Sequence, residues 1–172
     1  VGDESYAGRT IAHNQEQCWL LQSDGRLQQL ELSEVSTFRK LPGQFASMTG
    51  VDLRNRLQKE MGHSFDVVGT EHYVVCAAKG HARAYAALFE ETYRSCRQYF
   101  QVRGLTIEPL EFPLVGIVLP TQREFAEYMQ KEGNRYTPGL LGYYSPTTNR
   151  CVLYQHGESV ALNDNQRMLD FT

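Results

Sequence analysis

Apolar and polar residues alternate through the first part of the chain with the period of short β-strands. The stretch CWLLQSDGRLQQLEL places an Asp24-Gly25 pair between two strand-like runs, and such a pair favours the two-residue type I′ turn of a β-hairpin. Further strand-like segments lie on both sides, at GRTIAH and EVSTFRK, which makes three or four short strands. Residues 1–45 are therefore predicted to form a small antiparallel β unit, which is too small to be stable alone.

Between residues 46 and 64 the apolar spacing changes to that of a helix. In TGVDLRNRLQKEMG an apolar residue recurs at every fourth position, which gives one narrow apolar stripe. Thr49 and Asp52 have the spacing of a capping box, and Gly62 suits the position after a helix ends. This segment is predicted to be a short connector helix that packs on its neighbour.

From residue 65 onward, strand-like and helical patterns alternate in the order β, α, β, α, β, β. The helices correspond to HARAYAALFEETYRSCRQYFQVRG and TQREFAEYMQKEG, and the run FPLVGIVLP between them is typical of a strand covered on both faces. Such alternation predicts a largely parallel sheet. The tight turn in GYYSPTTNRCVLY makes the last strand antiparallel to the one before it, and we expect this last strand at a sheet edge.

These patterns predict an α+β or α/β fold, in which helices cover a mixed β-sheet with an antiparallel edge hairpin. The predicted domains are the β unit at 1–45, the connector helix at 46–64 and an α/β domain at 65–172. The tail from residue 157 is weakly patterned and is predicted to be loop.

Composition and charge exclude several classes of partner. The chain has 172 residues, of which 41% are hydrophobic and 22% are charged, as in an ordinary globular domain with or without a small appendage. The net charge is -3 and no basic cluster exceeds two residues, so a nucleic-acid partner is not expected. No apolar run approaches the roughly 20 residues of a membrane span.

Four cysteines are present and no two have C-x-x-C spacing: Cys18, Cys76, Cys96 and Cys151. Two disulfides are possible in three pairings, which the sequence leaves open. We favour separate small apolar residues, because Cys96 falls on the apolar face of the second predicted helix. Tyr93 and Tyr99 are assigned to the same packing stripe.

Recognised catalytic signatures are absent from the sequence, including G-x-S-x-G, a phosphate loop and H-E-x-x-H. Glu71 and His72 are predicted to point to opposite faces of a strand, so that they do not cooperate. His72 and Cys76 would be roughly 13 Å apart, too far for a nucleophile–base pair. Glu90 and Glu91 are predicted on a solvated helix face. We therefore expect no catalytic residue and no metal ligand in this chain.

The second half of the chain resembles a family of uncharacterised bacterial proteins related to the gluzincin zinc peptidases, sometimes called peptidase MA-like. The resemblance is carried by TEHYVVCAAKGHARAYAALFEETYRSCRQYF, EFPLVGIVLPTQREFAEYMQ and GLLGYYSPTTNRCVLYQ, and it is most specific from Gly142 to Tyr154. In that family a G-Y-Y-x-P-x-T-N-R hairpin lies shortly before a helix that carries H-E-x-x-H. The amino-terminal stretch is similar to the small β unit that often precedes this domain.

This resemblance implies a function for the hairpin. In gluzincin-like folds the antiparallel edge strand forms the upper rim of the active-site cleft, and it binds an extended peptide as an added strand. Arg150, Val152 and Tyr154 would then alternate along the rim, with Tyr143 and Tyr144 on the neighbouring strand. These five residues are the candidate substrate-binding residues.

The same resemblance places the zinc chemistry outside this sequence. The family's zinc ligands and general base come from H-E-x-x-H and a later carboxylate, and these 172 residues contain no such motif. The chain is thus expected to be the amino-terminal portion of an exported zinc metallopeptidase-like protein, catalytically incompetent as given. The alternative is a non-enzymatic module that binds a peptide or protein at its exposed edge strand.

Overall fold

The computed structural model describes residues 4–155, and the predicted tail lies outside them. In this part of the chain, two β-sheets and three α-helices lie where strand-like and helical patterns occur in the sequence. The helices are α1 (Gly50–Met61), α2 (Ala82–Gln101) and α3 (Gln122–Lys131). None of them combines the length and the apolar composition that a membrane crossing requires.

The amino-terminal strands form a three-stranded antiparallel sheet, the smaller of the two predicted strand numbers, and the segment EVSTFRK does not form a strand. They are β1 (Gly8–His13), β2 (Gln17–Gln22) and β3 (Leu27–Glu31), paired in that order. The predicted two-residue type I′ turn between β2 and β3 is wrong. Gln22 N–H donates to the Arg26 carbonyl at 2.8 Å, which leaves a three-residue loop at 23–25. Gly25 has φ +83°, whereas a type I′ turn also needs a positive φ at Asp24, which Asp24 does not adopt.

The β2–β3 turn is docked on the hairpin near the other end of the chain. Leu27 N–H donates to the Thr147 carbonyl at 2.8 Å. A Cβ atom added at Gly25 would lie 2.5 Å from the Asn149 side-chain amide, so glycine suits both this close approach and the positive φ. A sheet of this size, too small to be stable alone, is in this way supported by the second sheet.

The second sheet has five strands in the order β4-β5-β6-β8-β7. Its strands are β4 (Phe65–Gly69), β5 (Tyr73–Ala78), β6 (Leu114–Leu119), β7 (Gly142–Ser145) and β8 (Arg150–Tyr154). β5, β6 and β8 run parallel, while β4 and β7 are antiparallel to their neighbours. The predicted mixed sheet with covering helices and an antiparallel edge hairpin is confirmed.

The predicted position of the last strand is wrong. β8 lies between β6 and β7, so that the outer strand of the hairpin is β7. β8 alternates buried and half-buried residues and pairs along both of its edges. The turn residues determine that β7 and β8 are neighbours in the sheet. They do not determine which of the two strands pairs with β6.

Helices cover both faces of this sheet. α1 and α3 pack on one face through residues that include Leu57, Phe125 and Ile117. α2 covers the other face, where the Phe89 ring would lie 3.0 Å from a Cβ atom added at Gly116. The second half of α2 is mostly exposed, including Cys96 and Tyr99. The prediction that these two side chains pack in the apolar stripe is therefore wrong.

Candidate functional site

The outer edge of β7 is the exposed backbone edge of the predicted hairpin. Tyr154 N–H donates to the carbonyl of Leu141 directly opposite, at 3.4 Å. Hydrogen-bonded pairs alternate along an antiparallel ladder, so Tyr143 and Ser145 also face β8, while the backbone groups of Gly142 and Tyr144 point outward. Within residues 4–155, no other strand pairs with this edge.

Two of the five predicted site residues lie on this edge strand. The side chain of Tyr144 is 58% exposed, and its hydroxyl donates to Asn149 Oδ1 at 3.1 Å. Tyr143 is half-buried against Phe125, and its hydroxyl donates to Glu132 Oε2 at 2.8 Å. Burial, reinforced by Glu132, raises the pKa of Tyr143. Tyr144 is thus accessible, whereas Tyr143 anchors the edge strand to the end of α3.

The other three predicted site residues do not form a rim. Arg150, Val152 and Tyr154 are all buried on β8, inside the sheet. Val152 belongs to the core between the sheet and the helices α1 and α3, and Tyr154 packs on Phe125 with ring centroids 5.2 Å apart. Because both edges of β8 are already paired, an added strand has no backbone edge to join at these positions.

Arg150 is part of a buried polar site on β8, the strand next to the edge strand β7. Its Nη1 and Nη2 atoms donate to the Glu60 carboxylate at 2.5 and 2.6 Å, and Nη1 also donates to the Tyr128 hydroxyl at 2.6 Å. Glu60 Oε2 accepts a further hydrogen bond from Arg26 at 3.1 Å. Burial raises the pKa of Tyr128 to about 12, so this hydroxyl stays neutral beside Arg150. The site fixes β8 to α1, to α3 and to the β2–β3 turn.

A second polar site lies at the start of β5. It consists of Thr70, Glu71, His72 and Glu90, which we call the Glu90 cluster. The Glu90 carboxylate accepts a hydrogen bond from the Thr70 hydroxyl at 2.6 Å and one from His72 N–H at 3.2 Å. His72 Nδ1 lies 2.6 Å from Glu90 Oε1, and His72 Nε2 lies 4.0 Å from Glu71 Oε1.

Two sequence-based predictions about the Glu90 cluster are wrong. Glu90 is not on a solvated face, since it is 5% exposed and points at His72. Glu71 and His72 do not point apart, because they lie in the bend between β4 and β5, where the alternation of strand side chains does not apply. The sequence does contain a sign that Glu90 is buried. Ala82, Ala86 and Glu90 follow one another every four residues, so they lie on the same buried face of α2.

The electrostatics of the Glu90 cluster favour a charged carboxylate. Burial by itself raises the pKa of Glu90, but the hydrogen bonds from Thr70 and His72 outweigh this and hold the pKa below its ordinary range. Arg94 Nε lies 3.7 Å from Glu90 Oε1 on the solvent side. The Tyr93 ring packs on the His72 imidazole with centroids 4.2 Å apart and an angle of 30° between the ring planes, which restrains the imidazole.

Known proteins supply no family for either site. Comparison of the chain with protein-family models, with curated proteins and with solved structures finds no match in any of the three. Function is therefore argued from the two sites themselves.

Proposed function

We propose that this protein binds an extended peptide by strand addition at the outer edge of β7. The observation that carries the proposal is the outer edge of β7, with which no strand in the described part of the chain pairs, and from which the backbone groups of Gly142 and Tyr144 are directed away from the sheet. Main-chain hydrogen bonds to such an edge give affinity, and the flanking side chains give selectivity.

The neighbourhood of β7 favours a rigid receptor strand. Tyr143 is fixed by its hydrogen bond to Glu132, and β8 behind it is anchored through Arg150 and Glu60. Tyr144 remains exposed beside the edge and offers an aromatic surface to the bound chain. A pre-ordered edge costs little conformational entropy on binding.

The peptidase resemblance gives this binding mode a catalytic context. A mixed sheet with an antiparallel edge strand is the arrangement that the resemblance implies above a zinc-peptidase cleft. The zinc ligands would have to come from residues outside the sequence, which contains no H-E-x-x-H. Reading the parent gene beyond the codon for Thr172 tests this context. An H-E-x-x-H in a helical pattern would support the peptidase, whereas a stop codon would leave the non-enzymatic binding module.

Peptide binding itself is tested with a pair of variants at Tyr144. Peptides are selected from a random phage-displayed library on the wild-type protein, and synthetic copies are titrated by fluorescence anisotropy. Tyr144→Pro removes the outward N–H without removing a ladder bond to β8. Tyr144→Ala removes the same aromatic ring but keeps the N–H, and so serves as the matched control.

We expect the selected peptides to bind Tyr144→Pro about tenfold or more weakly than Tyr144→Ala, because a main-chain hydrogen bond and the close approach of the added strand are both lost. N-methylation of alternate peptide bonds should weaken binding in the same way. Thermal unfolding of both variants checks that the sheet is intact. Equal binding by the two variants, or no enriched peptide, would exclude strand addition at β7.

A further inference from the structure

The Glu90 cluster holds an imidazole in an orientation that leaves one ring nitrogen available. His72 Nδ1 is engaged by the Glu90 carboxylate at 2.6 Å. An ionised carboxylate accepts hydrogen bonds and does not donate them, and the Thr70 hydroxyl and the backbone N–H of His72 also donate to this carboxylate. In the neutral imidazole, this contact places the proton on Nδ1 and leaves the lone pair on Nε2.

A second ligand group lies close to Nε2. Glu71 Oε1 lies 4.0 Å from Nε2, and the Glu71 side chain is 72% exposed. Within residues 4–155, Glu71, His72 and Glu90 are the only group of three or more histidine, cysteine or acidic side chains whose ligand atoms converge within 4.8 Å. A cation between Nε2 and Oε1 would be accessible to solvent on the side where the exposed Glu71 side chain lies.

We propose that His72 Nε2 and Glu71 bind a divalent transition-metal ion of the zinc type, with Glu90 as the carboxylate that orients the imidazole. Zinc binds imidazole nitrogen and carboxylate oxygen at about 2.0–2.2 Å, so a small rotation of the exposed Glu71 side chain brings both atoms into range. Water completes the coordination.

The role of Glu90 in this site follows from its surroundings. A metal-binding histidine commonly donates its other N–H to a carboxylate, which fixes the tautomer and raises the basicity of the ligand nitrogen. Glu90 has this relation to His72, and Thr70 in turn fixes Glu90. Packing of Tyr93 on the imidazole adds a further restraint on the ring. The site is independent of β7, from which β5 is separated by β6 and β8.

The test is a Zn²⁺ titration followed by the ring ¹⁵N resonances of the histidines, which identify the nitrogen that binds the metal. All proteins carry Cys96→Ser, because an exposed free thiol is a zinc ligand in its own right and Cys96 is such a thiol. We expect a saturable one-to-one shift of His72 Nε2. His72→Asn should abolish binding while the fold is kept, since the asparagine amide can replace Nδ1–H toward Glu90 but has no counterpart of Nε2.

Three further variants separate the roles of the residues. Glu71→Gln should weaken zinc binding at least tenfold. Because Glu71 is exposed, this substitution should leave the fold unchanged. Glu90→Gln should weaken zinc binding by about 10- to 100-fold. The control His63→Asn, at an exposed histidine outside the cluster, should bind zinc like the parent protein. No shift of His72 at millimolar Zn²⁺, a shift at Nδ1 instead of Nε2, or unchanged affinity in Glu71→Gln would each overturn the proposal.

Discussion

The guanidinium group of Arg150 and the carboxylate of Glu60 form two parallel hydrogen bonds, at 2.5 and 2.6 Å, between residues 90 positions apart in the chain. Arg150 is 5% exposed, whereas the Glu60 side chain is 36% exposed. The hydrogen bonds and charge of Arg150 outweigh the effect of burial and hold the pKa of Glu60 below its ordinary range. This pair fixes the inner strand of the hairpin to the connector helix.

Removing the charge of Glu60 should destabilise the protein markedly. Glu60→Gln leaves the Arg150 charge buried with a neutral partner. Breaking a fully buried pair costs about 3–5 kcal/mol, and we expect about 2 kcal/mol here because Glu60 is partly exposed to water. Urea unfolding measures the change in the free energy of unfolding.

The exposed pair of Arg123 and Glu127, 2.9 Å apart on α3, supplies the control for that experiment. Glu127→Gln should change the free energy of unfolding by less than about 0.5 kcal/mol. Equal effects of the two substitutions would show that the Arg150–Glu60 pair contributes no more than a surface contact.

The pKa of Glu90 predicts a loss of stability in acid. A carboxyl group whose folded-state pKa is lowered stabilises the native protein above its unfolded-state pKa of about 4.3, and this contribution is lost as the pH falls through the folded-state value. The difference in free energy of unfolding between the wild-type protein and Glu90→Gln should therefore shrink as the pH is lowered from about 6 to about 3. Denaturant unfolding at a series of pH values measures it.

Glu91 provides the comparison for this pH series, since it is adjacent to Glu90 and exposed. The free energy of unfolding of Glu91→Gln should change with pH in the same way as that of the wild-type protein over the whole series. If the free energies of unfolding of the wild-type protein and Glu90→Gln differed by the same amount at every pH, that would contradict the stabilisation of charged Glu90 by Thr70 and His72.

The four thiols should differ strongly in reactivity. All four are free, Cys76 is buried and Cys96 is exposed. Burial raises the pKa of Cys76 to about 12, so almost no reactive thiolate forms at pH 8. Peptide mapping after pulses of iodoacetamide should find Cys96 modified first and Cys76 modified only when denaturant unfolds the protein. Early modification of Cys76 in the native protein would contradict this, because it would show that β5 opens readily.

The sequence by itself determined the elements with local chemical signals. Thr49 caps α1 by accepting a hydrogen bond from the N–H of Asp52, as the capping-box spacing predicts, and Thr121, three residues before Glu124, caps α3 in the same way. Asn149 has φ 53° in the turn that the pattern places there. These signals act between residues a few positions apart, so they can be read without knowing the fold. The mixed sheet and its edge hairpin follow from the order of these elements.

Only the tertiary structure decided which residues face solvent and which meet across the fold. β8 rather than β7 lies inside the sheet, so Arg150 is a buried partner of Glu60 and not part of a rim. Glu90 is buried because His72 and Thr70, from another element, satisfy its oxygens. The cost of burying a charge depends on partners brought close by folding, and partners that are 18 or 90 residues distant leave no local pattern in the sequence.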